Sequence, residues 1–286
     1  MARYTHGQHP TVTGSYLWRN AENSAGYALA EMLPGHSLLD VGCGPGSITL
    51  DLARRVAPGP VTAVDASTEA VEQARSLAEK EDVPGIDFRV GDVHDLDLPD
   101  DSFDVVHAHQ VLQHVADPVR ALAEMGRVTR PGGVVAVCDS DYSGMYWYPL
   151  LPELDAWMDL YQRVARANGG EPEAGRRMHA WARAAGFEDI TYVPEVWNHS
   201  APDRRAWWGR MWSRRILESD LARQAVDEGF ATRADLEEIS QGWRRWSEHP
   251  DGVFVVPRGA VLCRVSEGDL RRPAPGVAVR CRGTHR

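Results

Sequence analysis

The chain has 286 residues, of which 43% are hydrophobic and 25% charged, and its formal net charge is −10. This length suits one large α/β domain with insertions, or two small domains. The acidic balance argues against a nucleic-acid partner, which calls for a basic surface, and no apolar run approaches membrane-spanning length.

Met1 to Pro10 are polar and carry no apolar signal core. Cys43, Cys138, Cys263 and Cys281 are scattered. That pattern suits reduced thiols in a cytoplasm better than a disulfide framework, and it counts against a site gathering several thiols on one metalloid. The expectation is a cytoplasmic protein, monomer or homodimer, with no membrane partner.

Residues 14–34 read as a helical lead-in stopped by Pro34-Gly35. Strands and helices then alternate, the signal of a parallel sheet covered on both faces. Strands are expected at 37–41, 61–65, 87–90, 104–109 and 134–138. Between the first two, Ile48, Leu52 and Val56 form one buried helical stripe, ended by Pro58-Gly59. Ser67 is placed to cap the next helix, with Val71, Ala74, Leu77 and Ala78 inward. Asp117 caps another whose first residue is Pro118, and Val119, Leu122 and Met125 face the sheet.

Composition changes after residue 140, where nine of the ten tryptophans lie. Tyr142, Tyr146, Trp147 and Tyr148 form one aromatic group; Trp207, Trp208 and Trp212 form another. A helix is expected at 175–185 and the last two strands at 190–196 and 253–265. The organisation read from this is a lead-in (1–36) and a core (37–142 with 173–200 and 251–266). Two helical, Trp-rich insertions (143–172 and 201–250) cap that core, and a poorly ordered tail follows (267–286). No internal repeat is visible.

The most informative stretch is Leu38-Leu39-Asp40-Val41-Gly42-Cys43-Gly44-Pro45-Gly46-Ser47, with Asp65 standing 19 residues past Gly46. A strand runs into alternating glycines, which let the backbone turn sharply and approach a ligand. The helix start offers N–H groups to polar ligand atoms, and an acid at the end of the next strand can hold both hydroxyls of a ribose. The dinucleotide fingerprint has a third glycine where Ser47 stands, which argues against a pyrophosphate. An NAD-dependent oxidoreductase, the first rival reading, would also need a tyrosine–lysine or histidine hydride site, and none is found.

With this turn and the segments that follow it, the chain resembles the class I S-adenosylmethionine-dependent methyltransferases, and within them the UbiE/type 11 small-molecule group. Those segments are Val64-Asp65-Ala66-Ser67, Gly91-Asp92-Val93, Ser102–Val106, His109–Val115 and Arg130-Pro131-Gly132-Gly133. The likeness covers roughly residues 14–140. It implies a doubly wound, mostly parallel seven-stranded sheet, Rossmann-like, whose last two strands form an antiparallel edge pair. It implies S-adenosylmethionine as cofactor and S-adenosylhomocysteine as product. By the same likeness Asp40 helps hold the methionyl amino group, and Gly42, Cys43 and Gly44 give backbone contacts. Asp65 and Ala66 take the ribose and border the adenine, Asp92 and Val93 bind the adenine, and His109 and Gln110 line the methionyl side.

Methyl transfer from a sulfonium needs alignment and exclusion of water, with a base only for an acidic acceptor atom. His114 is the candidate base. Tyr142, Trp147 and Trp208 are candidate substrate contacts, since the aromatic groups suit an apolar cavity or a cationic amine. The acceptor is O, N or C of a small molecule of quinone-like or polyketide-like kind. His107 and His109 share one face of a strand, yet no further ligand follows at a recognisable spacing, so no metal is expected; His6 and His9 make a weaker pair. Arg19 reads as a surface arginine, with the cofactor carboxylate as its other possible partner. A second rival is a non-methylating cofactor-binding protein on the same fold.

Overall fold

The computed structural model describes Thr5, Tyr16 and residues 18–266. The expected tail, and the His6 and His9 pair, lie outside the described residues. The apolar runs become five parallel strands: β1 (Leu38–Val41), β2 (Val61–Asp65), β3 (Ile86–Val90), β4 (Phe103–His109) and β5 (Thr129–Ser140). Their spatial order is β3-β2-β1-β4-β5. The chain therefore steps outward from β1 to β3, then returns to lay β4 on the other side of β1. A crevice opens at such a switch point, beyond the carboxyl ends of the strands.

Past β5 the sheet turns antiparallel. β8 (Val253–Arg264) pairs with β5 along Val134↔Arg264 to Ser140↔Arg258. β7 (Asp189–Asn198) pairs with the other edge of β8. An eighth strand, β6 (Tyr146–Tyr148), lies on Val253–Val255 of β8. Sequence reading placed this segment in an insertion and expected seven strands. Three residues before Pro149 are too few to show an alternation, and only the overhang of β8 gives them a partner.

The helices beside the sheet follow their sequence signals. In α2 (Ser47–Val56) the stripe Ile48, Leu52 and Val56 is buried. Ser67 Oγ accepts the Ala70 N–H at the start of α3 (Thr68–Lys80), and Asp117 accepts that of Arg120 at the start of α4 (Pro118–Val128). Leu77 and Val119, both expected to face inward, are only half-buried. Before β1, among the described residues, Asn20 caps α1 (Ala21–Ala25), which continues as a tight turn over Gly26–Glu31.

The tryptophan-rich segments fold as α5 (Pro152–Ala167), α7 (Pro202–Glu218), α8 (Asp220–Asp227) and α9 (Arg233–Glu248), with α6 (Ala174–Ala184) lying against the sheet. They share one apolar core. Trp157 meets Trp212 and Trp243 edge-on at 4.7 and 4.9 Å between centroids, the edge-to-face geometry that indole quadrupoles favour. Phe254 and Val256 supply the sheet side of this core. Helix α7 approaches α9 closely because Gly209 carries no side chain; a Cβ there would strike Ser247. Among the described residues, no helix is long and apolar enough to cross a membrane.

Trp243 is fully buried, and truncating such a side chain leaves a cavity its neighbours fill only in part. Trp243→Ala should lower unfolding stability by about 3–5 kcal/mol. Urea denaturation followed by far-UV circular dichroism checks this; a loss within experimental error would mean that the tryptophan layer does not hold the helices on β8.

Candidate functional site

The end of β1 folds back on β2. The N–H groups of Gly42 and Cys43 both donate to the Val64 carbonyl, at 2.7 and 3.1 Å. Gly42, Gly44 and Gly46 have φ of 70, 53 and 88°, a region that strains any residue with a Cβ. Space separates their roles. A side chain at Gly42 would collide with Val111 and one at Gly46 would press on Ala74, whereas Gly44 faces open room. The first and third glycines allow packing, and the middle one leaves a cradle that a Cβ would intrude upon.

Asp65 fastens this turn. One carboxylate oxygen accepts the Gly44 N–H at 2.9 Å and the other accepts that of Ser67 at 2.9 Å. Burial raises its pKa, and the backbone donors oppose that rise. Asp40 is more enclosed than expected for a group serving a ligand. Its oxygens take Thr49 Oγ1 at 2.6 Å and His107 Nδ1 at 2.8 Å. His107 is thereby committed to the strand layer. Asp92 sits half-exposed at the opposite end, accepting the N–H and contacting the ring Nδ1 of His94. Those bonds hold its pKa below the usual carboxylate range.

All ten residues expected to hold the cofactor line one cleft of about 920 Å³: Asp40, Gly42, Cys43, Gly44, Asp65, Ala66, Asp92, Val93, His109 and Gln110. They fit an elongated nucleoside ligand: open space above Gly44, an acid at the end of β2 and a second acid beyond β3. Among the described residues, no group of three or more His, Cys, Asp or Glu could hold a metal ion.

The loop after β4 shapes the far wall. Gln110 adopts φ 59°, a strained conformation of the kind concentrated at ligand sites. Asp139, fully buried at the end of β5, accepts the N–H groups of Leu112 and Gln113 at 3.1 and 3.2 Å. Burial pushes its pKa up to about 7, against the pull of these donors. Asp139 is thus the anchor of the turn that carries His114, and sequence reading missed it because an acid at a strand end has no distinctive spacing.

A second, smaller cavity of about 50 Å³ adjoins the cleft, and Tyr16, Arg19, Gln110 and His114 line both. His114 therefore stands at the junction of the two spaces. Burial and the Arg19 charge push its pKa down to about 3, so it is neutral at ordinary pH and a weak base. Tyr142 and Trp208 line the small cavity, together with Trp157, Trp197, Trp207, Trp212 and Arg215. Trp147 lines neither space: it stacks on Phe254 with 5.6 Å between centroids, as part of the helical core. Arg19 is not the surface arginine expected, since its guanidinium lies over Tyr16 at 4.5 Å and Trp197 at 5.4 Å. Arg215 was missed outright, although Trp208, Met211, Trp212 and Arg215 share one helical face.

Comparison with known proteins identifies the family. Residues 33–199 match the family described as Methyltransferase domain. A protein of Schizosaccharomyces pombe named an uncharacterized methyltransferase is 33% identical over 275 residues, covering 92% of this chain and 97% of that one. The ubiquinone/menaquinone biosynthesis C-methyltransferase UbiE of Bdellovibrio bacteriovorus is 37% identical over 139 residues, 48% of this chain and 57% of its own. Among solved structures, the YcgJ protein of Bacillus subtilis superposes with a TM-score of 0.57 at 20% identity, over 85% of this chain and 98% of its own, a likeness of fold.

His199 stacks on Trp208 at 4.1 Å beside this site and is fully buried. Burial, then the Arg204 charge, pushes its pKa down to about 3. Below about pH 6.5 the unfolded chain takes up a proton there that the folded chain refuses, so this contribution to stability falls on acidification. His199→Phe keeps the stack and removes the proton. Between about pH 6.5 and 3 the variant's stability should fall less steeply than wild type, by up to about 1.4 kcal/mol per pH unit. Parallel slopes in urea titrations across that range would contradict a neutral His199.

Proposed function

The chain belongs to the methyltransferase domain family, and from that premise we propose that it transfers a methyl group from S-adenosylmethionine to a small organic acceptor. The aromatic lining of the smaller cavity supports a quinone-like or polyketide-like acceptor, and UbiE, named for quinone methylation, matches about half of this chain. The observation that carries the reading is the adjacency of the two cavities, with Gly44 and Asp65 lining one, indoles lining the other and His114 between.

When bound, S-adenosylmethionine supplies a methyl group already activated on a positively charged sulfur. The protein's part is to orient and to exclude water. Asp65 offers its remaining lone pairs to the ribose hydroxyls. Asp92 and the Val93 N–H face the adenine. Gly42, Cys43 and Gly44 present backbone atoms to the methionyl side. Asp40 keeps the turn rigid through Thr49 and His107, and any contact to the ligand is made with the lone pairs left over. His114 acts as a neutral hydrogen-bonding partner of the acceptor; a conjugate acid near 3 is poorly matched to removing a proton at neutral pH. The helical layer over the cavity selects the substrate. Among the described residues, Cys43, Cys138 and Cys263 are buried free thiols, which suits a reducing cytoplasm.

Incubation with S-adenosylmethionine and a panel of phenols, hydroxyquinones, amines and carbon acids should give a product heavier by one methylene, read by mass spectrometry. No product, together with no cofactor uptake by calorimetry, would contradict the reading. Asp65→Asn should weaken cofactor binding by about ten- to a hundredfold, as loss of charge-assisted hydrogen bonds predicts. Unchanged affinity would remove Asp65 from the ribose site.

A further inference from the structure

Arg19 lines the large cleft where it meets the small cavity, and among the described residues no carboxylate pairs with it. The sequence has no Asp or Glu before Glu22, so the segment leading to Arg19 brings none either. What holds this half-buried guanidinium is aromatic: it lies over Tyr16 at 4.5 Å and Trp197 at 5.4 Å. Rings occupy its faces, whereas its N–H donors lie in its plane, in the fork that matches a carboxylate.

The segment that carries Arg19 is fastened to the glycine turn. The Tyr16 carbonyl accepts the Arg19 N–H at 2.9 Å and the Ser47 hydroxyl at 2.9 Å. The Ala21 N–H then donates to Asp51, also on α2, at 3.2 Å, and the Trp197 indole N–H donates to the Asn23 carbonyl at 2.6 Å. Ser47 is the first residue of α2 and stands where the dinucleotide fingerprint has its third glycine. A glycine could not make this bond, so the departure from that fingerprint has a positive use: it ties Arg19 to the turn.

Among the described residues, the cations lining the cleft are histidines and two arginines, Arg19 and Arg120. Arg120 belongs to the Asp92 end, where the His94 bonds and then the Arg120 charge hold the Asp92 pKa down. Arg19 belongs to the β4 end, where burial and then the Arg19 charge push His109 and His114 down. On the methyltransferase reading that end, with Gly42–Gly44, His109 and Gln110, receives the amino-acid part of the cofactor, whose carboxylate is its one negative group. We propose, resting on that reading, that Arg19 binds the methionyl carboxylate and that Ser47 is the positioning residue that holds Arg19 in place. The pairing also serves the reaction, because a guanidinium neutralised by a carboxylate no longer repels a sulfonium beside it.

The test compares two probes by calorimetry on the full-length protein: S-adenosylhomocysteine, and 5′-deoxy-5′-(3-aminopropylthio)adenosine, the same molecule without its carboxylate. Wild type should prefer S-adenosylhomocysteine by about ten- to a hundredfold, the worth of a charge-assisted pair. Arg19→Gln should abolish that preference by weakening S-adenosylhomocysteine alone, and Arg19→Lys should keep part of it. Ser47→Ala should cut the preference by about three- to tenfold, as for one neutral hydrogen bond, with the analogue's affinity unchanged. If Ser47→Ala weakens both probes alike, its role in positioning Arg19 is overturned, because a merely loosened turn does not tell the two apart. Equal affinity of wild type for the two probes overturns the proposal without any variant. So does a preference that persists undiminished in Arg19→Gln, the result expected if Arg19 served an acidic acceptor instead. Binding of neither probe by wild type would overturn the methyltransferase reading itself, so the two failures are distinguishable.

Discussion

The site depends on one carboxylate held by two backbone donors. Asp65 ends β2, and its oxygens receive the N–H groups of Gly44 and Ser67. This joins the glycine turn after β1 to the start of α3, so two strand ends and two helix starts become one rigid rim. A buried carboxylate is costly unless hydrogen-bonded, and here the rim itself provides the donors. The three left-handed glycines follow from that geometry, because the turn must fold onto Val64, pass beneath Val111 and still leave room over Gly44.

A similar device recurs at the other end of the cleft. Asp139 receives two N–H groups from the turn after β4 and fixes the loop that carries Gln110 and His114. Each acid sets one wall. Asp65 and Asp92 line the cleft between them, and Arg19 stands at its junction with the aromatic cavity. The helical layer adds the third wall. Its tryptophans serve two purposes, since Trp157 and Trp212 belong to the buried core and also line the smaller cavity.

The Rossmann-like half was legible because each element there carries local signals: a period in its apolar residues, a capping side chain, a glycine or proline to end it. Asp65 could be recognised by its distance from the glycine turn alone. The tryptophan-rich half has no such grammar. Indoles at helical spacing look alike whether they fill a core or line a cavity, and only the packing shows that Trp208 does both while Trp147 lies against the core alone. Arg215 was hidden among many helical arginines, although its place on the Trp208–Trp212 face was a usable signal. Arg19 was harder to read for a different reason: its guanidinium lies over Trp197, nearly the whole sheet away in sequence. Strand β6 was invisible because its partner lies a hundred residues downstream.

The central claim concerns where a nucleoside lies against the turn, and a crystal structure of the protein with S-adenosylhomocysteine addresses it most directly. The account predicts the ligand along the cleft above Gly44, with both ribose hydroxyls within hydrogen-bonding distance of Asp65 and the sulfur facing His114 and Arg19. A ligand elsewhere, or a ribose turned away from Asp65, would contradict it.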